Sequence, residues 1–174
     1  MEEAFGLSVS RQFWDFAEAA KTEIRERVAK HDIPCDLQSG QLVGIHKASY
    51  AGWAQELSDA LTERYDYPHT RAMTREETRD FIATDQFIEG FHDSQAAHLH
   101  PLNFALGLAR AASEAGVRLY EQSRVTGYSD SDPAVVKTAQ GSVTASFAVL
   151  ACNGYLEKLE PRMSGKIMPI NNFM

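Results

Sequence analysis

The chain has 174 residues, 44% hydrophobic and 24% charged, and its 24 acidic against 17 basic side chains give a formal net charge of -7. That composition is globular, and the negative charge excludes nucleic acid and anionic membrane as expected partners, because both are gripped through basic surface. No apolar run reaches the ~20 residues of a membrane-crossing helix, and Met1-Glu2-Glu3 lacks the basic start of a signal peptide, so a soluble, cytoplasmic protein is expected.

In chain order, Ser8 or Ser10 can cap a helix running to about Lys30, with Phe13, Phe16, Ala17, Ala20, Ile24 and Val28 on the face expected to enter the core. Glu23 with Arg27 and Glu26 with Lys30 support its solvated face at i,i+4 spacing. Residues 40–46 read as a strand, and Ser49 as the cap of a second helix whose stripe is Tyr50, Trp53, Ala54, Leu57 and Leu61. Thr74-Arg75-Glu76-Glu77 fits a capping box, predicting a short helix from Arg75 to about Ile82. Residues 86–92 and 96–99 then read as two strands.

The second half is patterned more clearly. Pro101 at a first helical position and Gly116 just past the end bracket a helix, with Leu102, Ala105, Leu106, Ala109 and Ala112 expected to lie close against a sheet. Residues 117–121 alternate as a strand, the pattern resumes at Val125, and residues 135–139 and 142–147 form a hairpin around Gln140-Gly141. Phe147-Ala148-Val149-Leu150-Ala151-Cys152 is apolar on both faces, as a strand buried between layers would be, and breaks at Asn153-Gly154. The fold class is therefore α+β, a mixed α/β arrangement of helices packed on mixed β-sheets.

Two cysteines, Cys35 and Cys152, are too few and too distant for a disulfide framework or a metal knuckle. His92, His98 and His100 are the only tempting metal constellation, since a strand would put His98 and His100 on one side. Apart from Asp93 no carboxylate or Cys stands beside them at ligand spacing, so no metal is assigned.

The order of helix, Gly116-Val117-x-Leu119-x-Glu121-x-x-x-Val125, hairpin with Gly141, and Val149-Leu150-Ala151-Cys152-Asn153-Gly154 resembles the middle of an FAD-dependent oxidoreductase of the D-amino-acid oxidase type. The tail Gly154-Tyr155-Leu156-Glu157-Lys158-Leu159-Glu160-Pro161-Arg162, followed by Met168-Pro169-Ile170-Asn171-Asn172-Phe173, resembles its gamma-glutamylputrescine oxidase branch. The resemblance implies a two-lobe flavin oxidase fold, with residues 1–98 mainly in the substrate lobe, 99–165 in the FAD lobe and 166–174 starting a further substrate-lobe strand. It also implies oxidation of a small amine by hydride transfer to flavin, with oxygen reoxidising the cofactor. Carried over by position, the cofactor contacts are Val125, Ala151, Cys152, Asn153 and Gly154; no catalytic residue is assigned.

Such enzymes hold the FAD pyrophosphate at a G-x-G-x-x-G turn that opens a helix, and the eleven glycines here never form that pattern. The sequence therefore resembles an internal segment, expected to hold no FAD tightly by itself and to self-associate through open sheet edges. The alternative is a stand-alone non-catalytic domain acting by self-association or protein binding.

Overall fold

The computed structural model describes residues 1–170. The chain forms two compact units, Met1–Val117 and Arg118–Met174. The first contains α1 (Glu2–Lys30), β1 (Gln38–Ile45), a 3-10 turn (Ala48–Tyr50), α2 (Trp53–Tyr65), β2 (Thr70–Met73), α3 (Arg75–Ile82), β3 (Glu89–His98) and α4 (Pro101–Glu114). Its antiparallel sheet has the order β1-β3-β2. Ile45, Ala54 and Phe91 are the centre of its core, with Leu57, Leu61, Ala72 and Ile88 packed around them.

The sheet departs from the expected strands in two ways. In place of two strands there is one, β3, with the polar stretch after Asp93 held as a bulge inside it: the Asp93 carboxylate accepts from the amides of Gln95 (2.9 Å) and Ala96 (3.0 Å) and from the Tyr67 hydroxyl (2.9 Å). The short β2, which no periodicity announced, exists because β3 offers it a ladder from Asp93 to Gly90. Between the pairs Ser39–Ala97 and Gln41–Asp93 the single residue Gly40 of β1 faces three residues of β3, so the bulge lies in β3, and Gly40 opposite it takes a positive φ of 95°.

Helix α1 begins earlier than Ser8 and bends at Gly6. It also sits the other way round from the expectation. Trp14 packs between Tyr65 and Tyr67, with ring centroids 4.9 and 5.1 Å away. On the same side Lys21 donates to the Tyr67 hydroxyl (3.1 Å) and Arg25 to the carbonyl of Gln95 (2.6 Å). Long side chains with polar tips thus cover the sheet with their stems and satisfy its polar groups, and Phe13 and Phe16 are left 53% and 77% exposed.

Helix α2 starts at Trp53 after Gly52, and its cap is not Ser49 but a side chain from β3. The Glu89 carboxylate accepts from the amides of Gly52 (3.1 Å) and Ala54 (3.5 Å), a long-range cap that local sequence cannot reveal. Helix α3 has the predicted capping box, Glu77 N–H to Thr74 Oγ1 at 3.2 Å and Thr74 N–H to Glu77 Oε2 at 2.8 Å. Helix α4 starts at Pro101 as expected, with His100 Nδ1 accepting from the Asn103 amide (3.3 Å). Its buried residue is Gly107, against Ile33, whereas Leu102 and Leu106 stand about 60% exposed. The small residue does permit close approach, but its neighbour is Ile33 in the segment after α1 and not a sheet.

The second unit is an antiparallel meander of β4 (Val125–Ser129), β5 (Ala134–Thr138) and β6 (Ser142–Ala145), followed by a 3-10 turn (Asn153–Leu156) and α5 (Pro161–Ser164). The expected strands at residues 117–121 and 147–152 do not form: Val117, Leu119 and Tyr120 are exposed, and Phe147 and Val149 are exposed by 85% or more. An apolar run becomes a strand only when another strand meets its amides and carbonyls, and none among the described residues does. Of the further strand expected over residues 166–174, residues 166–170 form no strand and the rest lie outside the described residues.

Candidate functional site: a cleft beside the first strand of the second unit

The main opening near the proposed cofactor contacts is a cleft of about 530 Å³ between β4 and the chain that follows Cys152. Val125 and Thr126 form one wall, and Cys152, Tyr155 and Leu156 the other. The second wall turns because Asn153 adopts a left-handed φ of 49°, which an Asn tolerates through its short polar side chain. Leu156, only 6% exposed, anchors the turn.

Two carboxylates fasten this wall to β4. Glu157 pairs with Arg124 at the start of the strand. Glu160, 7% exposed, accepts from the Tyr128 hydroxyl and from the Arg162 amide (2.9 Å), Nε (2.9 Å) and Nη2 (3.2 Å). The Arg162 guanidinium, then the Tyr128 hydroxyl, hold the Glu160 carboxyl down at about 2, and the same bond to Glu160 pushes the Tyr128 phenol up. Sequence reading missed all five of these side chains. Their only local signal is the charge pattern of residues 157–162, which by itself reads as solvated surface.

Of the five carried-over contacts, Val125 and Cys152 meet in the cleft. Asn153 begins its turn, and Gly154 lies beside Pro169, where an added Cβ would come within 3.4 Å. Ala151 is exposed and does not line the cleft. Cys35 belongs to the first unit and is buried.

The three histidines have separate surroundings. His92 lies against Phe81, His98 ends β3 opposite Gln38, and His100 caps α4. Among the described residues no group of three or more His, Cys, Asp or Glu could hold a metal ion.

A dinucleotide needs backbone amides free to meet its phosphates. At α2 the amides of Gly52 and Ala54 are engaged by Glu89, at α3 the Glu77 amide by Thr74 and at α4 the Asn103 amide by His100, and α1 opens with Glu2 and Glu3, which would repel phosphate. The cleft is the size of a small-ligand site.

Residues 3–174 match the family of FAD dependent oxidoreductases abbreviated DAO. The chain belongs to that family. Among curated relatives of this FAD-dependent family, the probable oxidoreductase OrdL of Rhizobium meliloti (strain 1021) is 37% identical over 174 residues, covering 99% of this chain and 41% of its own length. The gamma-glutamylputrescine oxidoreductase of Escherichia coli (strain K12) is 33% identical over 170 residues, covering 97% of this chain and 40% of its own length. The chain thus spans about two-fifths of the curated relatives it matches. In fold it is similar to L-proline dehydrogenase from P. horikoshii (TM-score 0.68, 18% identity, 85% of this chain and 40% of that one). It is likewise similar to glycine oxidase from Geobacillus kaustophilus (TM-score 0.64, 22% identity, 90% and 42%). The mixed α/β class read from the sequence is the fold these oxidoreductases share. Among the described residues no helix is long and apolar enough to cross a membrane.

Proposed function

We propose that this chain is the middle of an FAD-dependent oxidoreductase that oxidises an amine or amino acid, and that it is inactive unless the rest of that fold is supplied. In this reading residues 1–98 belong mainly to the substrate lobe, 99–165 to the FAD lobe and 166–174 to a further substrate-lobe strand. Val125, Ala151, Cys152, Asn153 and Gly154 lie along the cofactor, and the cleft between Val125 and Cys152 receives one end of it. The protein works in the cytoplasm and meets a small amine only in the complete enzyme.

One observation carries the reading: a family match over residues 3–174 coexists with coverage of only about two-fifths of the relatives' length. The test is the colour of the chain purified without added cofactor. A colourless protein that releases no flavin on heating is expected, and stoichiometric FAD would refute the claim of inactivity. Turnover of amines by the 174-residue chain alone would refute it as well.

The exposed apolar segments around residues 117–120 and 147–150 favour a second reading, in which the chain acts by binding protein. Self-association through the open edges of the two sheets belongs to both readings, since β1, β2, β4 and β6 each have one side without a strand partner among the described residues. Light scattering with and without residues 166–174 tests whether that segment makes the contact.

A further inference from the structure

Helix α1 turns an apolar stripe to solvent. Val9, Phe13, Phe16, Ala20 and Ile24 follow one another at intervals of four, three, four and four, so they line one side of the helix over about 22 Å at 1.5 Å per residue. Phe13 and Phe16 are 53% and 77% exposed, while Ser10, Trp14, Lys21 and Arg25 occupy the side packed on the rest of the unit. The opposite allocation would remove more apolar area from water, yet the sequence places its phenylalanines outward. A face of this kind marks a contact.

The stripe ends beside a cavity of about 320 Å³, where Ile24 of α1, Leu37, Leu99 and Phe104 supply apolar lining beside Lys21, Arg25 and His98. On α4, which meets the segment after α1 through Gly107 and Ile33, Leu102 and Leu106 are also outward. The first unit therefore has unpartnered apolar residues on two helices and a recess large enough for a side chain.

We infer that the outward stripe of α1 is the seat of the part of the oxidoreductase fold that lies outside this chain, and that it takes an amphipathic helix of that part. The inference rests on the function proposed above. Three-fifths of the OrdL relative lies outside the matched region. In a complete fold that length has to lie against this chain, and apolar faces are where it gains most by doing so. The alternation of Phe13 and Phe16 with Ala17 and Ala20 suits a helix in particular, because large ridges beside small residues let another helix settle at 8–10 Å.

The test co-expresses the tagged 174-residue chain with the segments of the R. meliloti OrdL relative that precede and follow its matched region. The parent should co-purify with them, and the double variant Phe13→Asp/Phe16→Asp should lower recovery at least tenfold with its circular dichroism unchanged. Phe81→Asp, on the exposed side of α3, is the control and should leave recovery alone. If the double variant alters the circular dichroism, Phe16→Ser replaces it and the same loss of recovery is required. Recovery that does not respond to the stripe variants overturns the inference while leaving the proposed function intact. Failure of the parent to co-purify overturns the inference too, as does a stripe variant whose sole effect is to turn an associated parent into a monomer. Colour is read separately: a complex that forms but holds no flavin counts against the proposed function and not against the stripe.

Discussion

Gly107 is where α4 meets the segment that follows α1, and the reason is visible at one atom. An added Cβ would lie 2.3 Å from Ile33 Cγ2 and 2.8 Å from Cγ1. Ile33 is itself buried and β-branched, so it has little freedom to move aside. Gly107→Ala should gain up to about 1 kcal/mol of helix propensity and lose about 1–3 kcal/mol to overpacking, so a net loss is expected in urea unfolding. Adding Ile33→Ala should make the pair less destabilising than the sum of the two single changes; strict additivity would mean that the contact is not the cause. Glu160 gives a pH dependence of known sign. Its folded pKa, about 2 because of Arg162 and then Tyr128, is below the ordinary 4.5. Its contribution is therefore complete above pH 4.5 and is lost as the pH falls from there toward 2. Glu160→Gln should flatten this part of the acid-unfolding curve, followed by near-ultraviolet circular dichroism. Glu77, also held low, first by its bond to the Thr74 amide, is common to both proteins, so their difference isolates Glu160.

At the level of elements, what could be read in advance was what local chemistry decides. The box at Thr74 and Glu77 closes within one turn, so its residues announce it, and α3 spans Arg75–Ile82 as the sequence implied. Thr74→Ala should cost about 1 kcal/mol, read as a lower urea midpoint; an unchanged midpoint would mean that the box adds nothing. Helix α4 was legible for the same reason, with Pro101 at its first turn. Direction was not legible. A 3.6-residue period finds the stripe of α1 but cannot say whether it points inward, because that depends on the Tyr67 and Gln95 groups waiting for Lys21 and Arg25. The cap of α2 was hidden likewise, since its carboxylate, Glu89, is 37 residues from Gly52. In the candidate site, Val125 and Cys152 were named by resemblance, whereas the pairing of Glu157 with Arg124 and of Glu160 with Tyr128 needed the fold to bring them together.

Over the whole molecule, the apolar core is unevenly shared. Ile33, Cys35, Ile45, Ala54, Tyr67, Met73 and Phe91 are buried in the first unit, but only Ala134 and Leu156 in the second, among the described residues. Strand β6 is exposed along its length, and Phe147 and Val149 beyond it are nearly free of protein contact. At roughly 1.5–3 kcal/mol for each large apolar side chain removed from water, the second unit has little to set against the cost of ordering its backbone. Beyond its ladders, what ties it together is the Tyr128 hydroxyl on Glu160 and the pair Arg124 with Glu157, the latter exposed charges that salt weakens. We therefore expect native-state hydrogen exchange to separate the units. The ladder amides of β4 to β6 should exchange at least tenfold faster than those at the centre of β3, and raising the salt should widen the gap. Equal protection of the two sheets in the isolated chain, at low and high salt alike, would show that the second unit is stabilised by something other than these contacts.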